Sequence, residues 1–396
     1  MDESPRLLSH NSVYRQGESD YELGFDEIRE KFLPRMGPRD LVATDMDGSM
    51  FVNDLGILVF LEQLSEPDDW PFDPDEFASL LVPEKYETVL NLAVAGELPN
   101  IDPNIATMFF RLKEDCIDLY REIYIASDQD FTLSDPFVNE FARKMIALDG
   151  LVMSIDKTFQ IATNGQLLSR TRFFLHKNRK KIKRLTKAAM MGHKNGERYV
   201  NLSVHPANLG AVEQRLSAAD LEPLVYDRKV QEVAKVRGII SDLFADGKGS
   251  PVRILTTNLQ AIGIGALEQS SYAPLLNQEC EGRNPVIASK LQENQHGKLG
   301  SQIRRNPMFG DVKREALVTL EKKRNWNTKV AIGDSANNDT AMMRLALQNG
   351  GIAIIVGKEF ERTRERFKLW VDKTRRELAD EDLGKRVFYA IDENCH

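Results

Sequence analysis

Leu41-Val42-Ala43-Thr44-Asp45-Met46-Asp47-Gly48-Ser49 is the stretch that decides the fold. It is a short apolar run that stops abruptly at a carboxylate. Three more runs have the same form: Val252–Leu255 before Thr256, Val330–Ile332 before Gly333-Asp334, and Ile352–Val356 before Gly357. Short apolar runs rich in β-branched residues and followed by helical pattern mark buried parallel strands. Helices are expected over about 259–269, 340–348 and 359–380. The sequence therefore predicts an α/β fold with a Rossmann-like parallel sheet. In such sheets ligands bind at the carboxyl ends of the strands, which is where Asp45 falls. Pro285–Ala288 reads as a further strand leading into a hairpin near Gly297–Gly300, and Val387–Ile391 as an edge strand.

The first two sheet runs are separated by the long stretch 52–250, which is mainly helical in periodicity, as in 75–81, 105–126 and 211–216. Its strand-like pieces, 150–155, 160–162 and 200–204, are few. Two strands of one sheet split in this way enclose an inserted domain. The expected organisation is a polar N-terminal extension over 1–37, a core made of 38–51 and 251–396, and a domain inserted at 52–250. Gly247-Lys248-Gly249-Ser250-Pro251 reads as the returning linker. A chain of 396 residues with net charge −7 gives no electrostatic reason to expect nucleic acid. No secretory pattern opens the chain, and no apolar run approaches the ~20 residues that span a bilayer. Three widely spaced cysteines, Cys116, Cys280 and Cys395, suggest neither a disulfide framework nor a zinc site. A cytoplasmic location without membrane contact is the expectation.

Four groups of residues can carry chemistry. Asp45 and Asp47 at a strand end can share one crevice, with Gly48 letting the chain turn away. Such a pair can divide the work of nucleophile and proton carrier; a solvated Asp-rich turn is the competing account. Gly333-Asp334-Ser335-Ala336-Asn337-Asn338-Asp339 opens a helix and adds carboxylates suited to a hard cation such as Mg²⁺, although Asn338 or Asp339 can also serve as a helix cap. Thr256 and Thr257, with Asn258, sit where a hydroxyl and a helix start make a phosphate seat, or an ordinary N-cap. Lys313 begins a helical segment upstream of Asp334.

Taken in order, these four groups resemble the motifs of the haloacid dehalogenase-like (HAD) hydrolase superfamily, and within it the phosphoserine phosphatase-like branch. The likeness covers the sheet-forming part of the chain. It implies a HAD-like core with a large, mainly helical cap domain inserted after the first strand, the cap choosing the substrate. By the same resemblance Asp45 is the nucleophile that forms an aspartyl-phosphate, and Asp47 the general acid and then base. Mg²⁺ is held by Asp45, Asp334 and the Asp47 carbonyl, with Asn338 and Asp339 behind those ligands. Thr256, Thr257 and Lys313 bind the phosphoryl oxygens. The implied substrate is a small phosphomonoester. Asp54 is the candidate that meets an amino group on it, or else caps the helix starting at Leu55. A carboxylic acid at position 47 favours phosphate esters over halides, because only the former need a proton to leave. A phosphotransferase or phosphomutase uses the same residues, and a protein-binding module built on this core is a third reading. The basic run within 177–187 is either a solvated helix face or a docking patch for an anionic partner.

Overall fold

In the computed structural model, the described residues are 13–15, 28–52, 55–64, 73–81, 84–97, 103–125, 140–142, 144–145, 148, 179–191, 200–202, 224–226, 231–245, 249–277, 284–293, 299–305, 308, 310–336 and 338–392. In chain order the strands are β1 (Val13–Arg15), β2 (Asp40–Thr44), β3 (Val200–Leu202), β4 (Leu224–Tyr226), β5 (Val252–Leu259), β6 (Val286–Glu293), β7 (Leu299–Arg305), β8 (Asn327–Gly333), β9 (Ile352–Gly357) and β10 (Val387–Ile391). The helices are α1 (Leu55–Leu64), α2 (Pro74–Leu81), α3 (Glu84–Val94), α4 (Pro103–Ile125), α5 (Arg179–Met191), α6 (Ala234–Ala245), α7 (Gln260–Glu268), α8 (Asp311–Arg324), α9 (Thr340–Gln348) and α10 (Phe360–Leu378). None of these helices is long and apolar enough to cross a membrane.

The chain divides into two compact units. The first contains 1–54, 230–288 and 308–396; the second contains 55–229 and 289–307. Residues 230–250, with α6, thus group with the sheet rather than with the inserted stretch. Most of the β6–β7 hairpin groups with the second unit. The main sheet has the order β1-β10-β9-β8-β2-β5-β6-β7, of which six strands, β10 through β6, are all parallel. This is a Rossmann-like α/β architecture. The chain leaves β2 for β5 on one side and later returns to place β8 on the other. That reversal makes the crevice beside β2 a topological switch point, where parallel sheets open a ligand site.

The core strands are apolar and buried on both faces. Leu41, Ala43, Leu255, Ala331, Ala353 and Ile355 pack with Leu317 of α8, Met342 and Met343 of α9, and Phe367 of α10. Helix α8 carries Asp311 in its first turn and Lys322, Lys323 and Arg324 in its last, complementing the helix dipole. It stops at Asn325 in the left-handed region, φ 53°.

Two expectations need correcting. Val387–Ile391 is not an edge strand. The N-terminal segment Val13–Arg15 pairs antiparallel outside it, Tyr14 opposite Tyr389. The extension is polar, and a three-residue strand held by backbone bonds needs no apolar run to announce it. The strand after Val252 does not end at Leu255 either; it runs to Leu259, so Thr256, Thr257 and Asn258 lie inside it.

In the second unit, Phe77 of α2 stacks on Tyr120 of α4 with ring centroids 3.8 Å apart. Helix α5 packs on α1 and buries Ile182, Leu185 and Ala189, leaving Lys180, Arg184 and Lys187 exposed. Lys177 and Asn178 lie outside the described residues, as do the strand pieces expected at 150–155 and 160–162, the helix at 211–216 and the linker residues Gly247 and Lys248. Cys116 of α4 is buried as a free thiol.

Gly351 tests how closely β8 and β9 approach. A Cβ there would lie 2.6 Å from the Lys329 carbonyl carbon and 2.7 Å from its Cα. Backbone on both sides cannot yield as a flexible side chain would. Gly351→Ala is expected to destabilise the protein by about 1–3 kcal/mol, read as a lower urea midpoint. An unchanged midpoint would mean that the strands are spaced more widely.

Candidate active site

Three neighbouring strands, β8, β2 and β5, deliver their carboxyl ends to one place. The Asp45 backbone N–H donates to the Ile332 carbonyl at 2.9 Å, the last rung between β2 and β8. Beyond it the chain folds into a tight turn, with Met50 and Phe51 N–H groups both donating to the Met46 carbonyl. Gly48 sits in that turn at φ +70°, and a Cβ on it would lie 2.5 Å from Asp334 Cγ. Only glycine satisfies both demands. Its missing side chain lets the two carboxylate-bearing loops touch, with Ser49 Oγ donating to Asp334 Oδ1 at 3.5 Å.

Lys313 is the centre of the cluster. Its ammonium is fully buried, 2.8 Å from Asp45 Oδ1 and 2.6 Å from Asp339 Oδ1. Asp339 is fully buried as well, and its other oxygen accepts from the backbone N–H groups of Asp334 (3.1 Å) and Ser335 (2.9 Å). Both of its oxygens are therefore used in shaping the loop. Asn338 Oδ1 accepts from Gly310 N–H at 3.1 Å, tying that loop to the start of α8. Arg366 of α10 donates to the Asp334 carbonyl. On the far side of β2, Asn258 Nδ2 donates to Asp47 Oδ2 at 2.7 Å.

Oxygens of Asp45, Asp334 and Asp339 lie within 4.8 Å of one another. Three carboxylates around one buried ammonium leave a surplus of negative charge. Burial, the neighbouring Asp339 charge and weaker opposition from Lys313 push the Asp45 carboxyl up to about 7. Asp334 is also held well above the usual carboxylate range, by burial and by the Asp339 and Asp45 charges, against the pull of Arg366 and Lys313. Burial opposes the charge on Lys313, but Asp339 and Asp45 outweigh it and hold its pKa above the ordinary lysine value. A hard divalent cation fits this donor set: it is all oxygen, crowded and under-neutralised. Asp45 and Asp334 are the carboxylates with capacity to spare for it.

No protein-family model matches the chain, and no curated protein matches it. A solved structure that it resembles is that of a conserved functionally unknown protein from Anaerococcus prevotii DSM 20548. The match has a TM-score of 0.54 at 14% identity and covers 93% of this chain and 94% of that one. At that identity the likeness shows a shared fold and carries nothing about activity.

The residues expected from sequence fall as follows. Asp45, Lys313, Asp334 and Asp339 form one cluster, with Asn338 bracing it. Asp47 faces Asn258. Thr256 is fully buried and its Oγ1 accepts from Asn258 N–H at 3.1 Å, so its hydroxyl serves the strand locally. Thr257 is half-buried. Neither threonine caps a helix: the residue before α7 is Leu259, with no side-chain cap bond. Asp54 lies outside the described residues. Sequence reasoning missed Arg366, which lies within the helix expected over 359–380. It also missed the pairing of Asn258 with Asp47, which depends on parallel register rather than on spacing along the chain.

The raised Asp45 pKa fixes the sign of a stability effect. A folded-state value of about 7 against an ordinary 3.8 means that the folded protein gains from protonation at low pH. That gain is full below the unfolded value and is lost as pH rises through the folded one. In chelator, the stability of the parent relative to Asp45→Asn is expected to fall between about pH 4 and 7, and Mg²⁺ is expected to restore it more at pH 8 than at pH 5. Urea unfolding at matched pH checks this. A parent-minus-variant difference that is flat with pH would contradict the crowded site.

Proposed function

We propose that this protein is a Mg²⁺-dependent phosphomonoesterase that works through an aspartyl-phosphate on Asp45. The observation that carries the reading is the buried Lys313 ammonium held between Asp45, at the end of the central strand, and Asp339. Such an arrangement suits phosphoryl transfer, in which catalysis is mostly positioning and neutralisation of charge. The HAD-like order of motifs in the sequence supports the same chemistry. The substrate class is a small phosphomonoester.

When bound, Mg²⁺ supplies electrostatic neutralisation of the phosphoryl oxygens and the carboxylates, with Asp45, Asp334 and the Asp47 carbonyl as its protein ligands. Lys313 orients Asp45 and adds positive charge beside the phosphoryl group. A carboxylate oxygen of Asp45 attacks phosphorus as the ester P–O bond breaks, and the Asp47 carboxyl gives its proton to the departing alkoxide oxygen. Water then attacks phosphorus and passes a proton to Asp47, and the bond to Asp45 breaks to release inorganic phosphate. Asp339 holds the Asp334 loop and Lys313 without touching the reacting atoms.

The test is turnover of p-nitrophenyl phosphate with and without Mg²⁺. Asp45→Asn keeps the shape and removes the nucleophile. It is expected to lower kcat at least ~10³-fold, about 4 kcal/mol of barrier, while circular dichroism stays that of the parent. Chelation is expected to remove activity and Mg²⁺ to restore it. A variant within about tenfold of the parent, a barrier change of ~1.4 kcal/mol, would refute the mechanism.

A further inference from the structure

Asn258 is 5% exposed, and its amide does not serve the helix that follows it. The backbone N–H of Asn258 donates to Thr256 Oγ1 at 3.1 Å near the end of β5. Strands β5 and β2 are parallel neighbours, Thr44 opposite Ile254, so the segments leaving their carboxyl ends run side by side. The Asn258 amide thus reaches Asp47 Oδ2 at 2.7 Å, across 211 residues of sequence.

We infer that Asn258 is the positioning residue for Asp47, pinning its carboxyl group in one orientation through both halves of the reaction. The inference rests on the acid–base role proposed for Asp47. That residue lies in a turn and is half-buried. A short carboxyl group there samples several rotamers unless something holds it. A neutral amide suits the task better than a cation. It can donate to a carboxylate and also to the carbonyl oxygen of a carboxylic acid, so Asp47 keeps this partner in both protonation states. A lysine or arginine in its place would favour the ionised form and remove the acid. Asp45 and the metal-binding carboxylates lie on the other side, toward β8.

The experiment compares the parent with Asn258→Ala and with the nearly isosteric Asn258→Asp, which keeps the shape but loses the donor. Leaving-group release is measured in a single turnover with enzyme in excess, for an alkyl phosphate and for p-nitrophenyl phosphate. The alkoxide needs a proton to leave; the nitrophenolate scarcely does. Both variants are expected to slow alkyl release by about 10- to 100-fold and nitrophenol release much less, while steady-state turnover of the alkyl ester shows a lower kcat and a KM little changed. Side-chain amide NMR reads the contact without turnover: the Asn258 NH₂ resonances are expected to lose their protection from exchange in Asp47→Ala. Equal losses for the two esters, a raised KM with kcat retained, or unchanged amide protection would each overturn the inference while the parent remains a phosphatase. A parent inactive on both esters overturns the phosphatase reading itself and takes the acid–base role of Asp47 with it.

Discussion

A fully buried ammonium, that of Lys313, lies between the carboxylates of Asp45 and Asp339. Removing one partner from such a group typically costs about 3–5 kcal/mol, because the remaining charge is left without compensation in a dry site. This constraint ties three segments far apart in sequence: the end of β2, the first turn of α8 and the loop after β8. Asp339 converts that ion pair into loop geometry by also accepting from the Asp334 and Ser335 N–H groups. The ion pair does not balance the cluster, and the remaining negative charge is what a bound cation would offset.

The parallel sheet makes the convergence inevitable. Strands that run the same way end on the same side, and the reversal of winding at β2 opens a crevice there. Gly48 then decides how near the loops after β2 and β8 can come. Asp45 and Asp334 meet on one flank of β2, while Asp47 meets Asn258 on the other. The two flanks divide the labour: one concentrates charge, the other holds a single carboxyl group with a neutral donor.

Much of this was legible in the sequence, for a physical reason. Buried parallel strands must be apolar, so each apolar run that stops at a polar residue marks a strand end and therefore a wall of the crevice. Asp45 and Asp334 were read in that way, Lys313 from the start of a helical pattern, and helix α9 falls on the expected span, Thr340–Gln348. Contacts set by register or by helix packing were not legible. Nothing local announces that Asn258 faces Asp47, that Arg366 reaches the Asp334 carbonyl, or that Val13–Arg15 adds a strand beyond β10. Nor does the sequence announce that the strand continues past Thr256, whose Oγ1 accepts from the Asn258 N–H within β5.

The central claim is that Asp45 becomes covalently phosphorylated. An acyl phosphate, unlike a free carboxylate, is reduced by borohydride to the alcohol. The protein would be quenched during turnover of p-nitrophenyl phosphate in Mg²⁺, treated with borohydride and digested for peptide mass spectrometry. The account predicts homoserine at position 45 and an unmodified Asp47, with no reduction when the ester is omitted. Rapid turnover with Asp45 unreduced, or with the label at another residue, would contradict it.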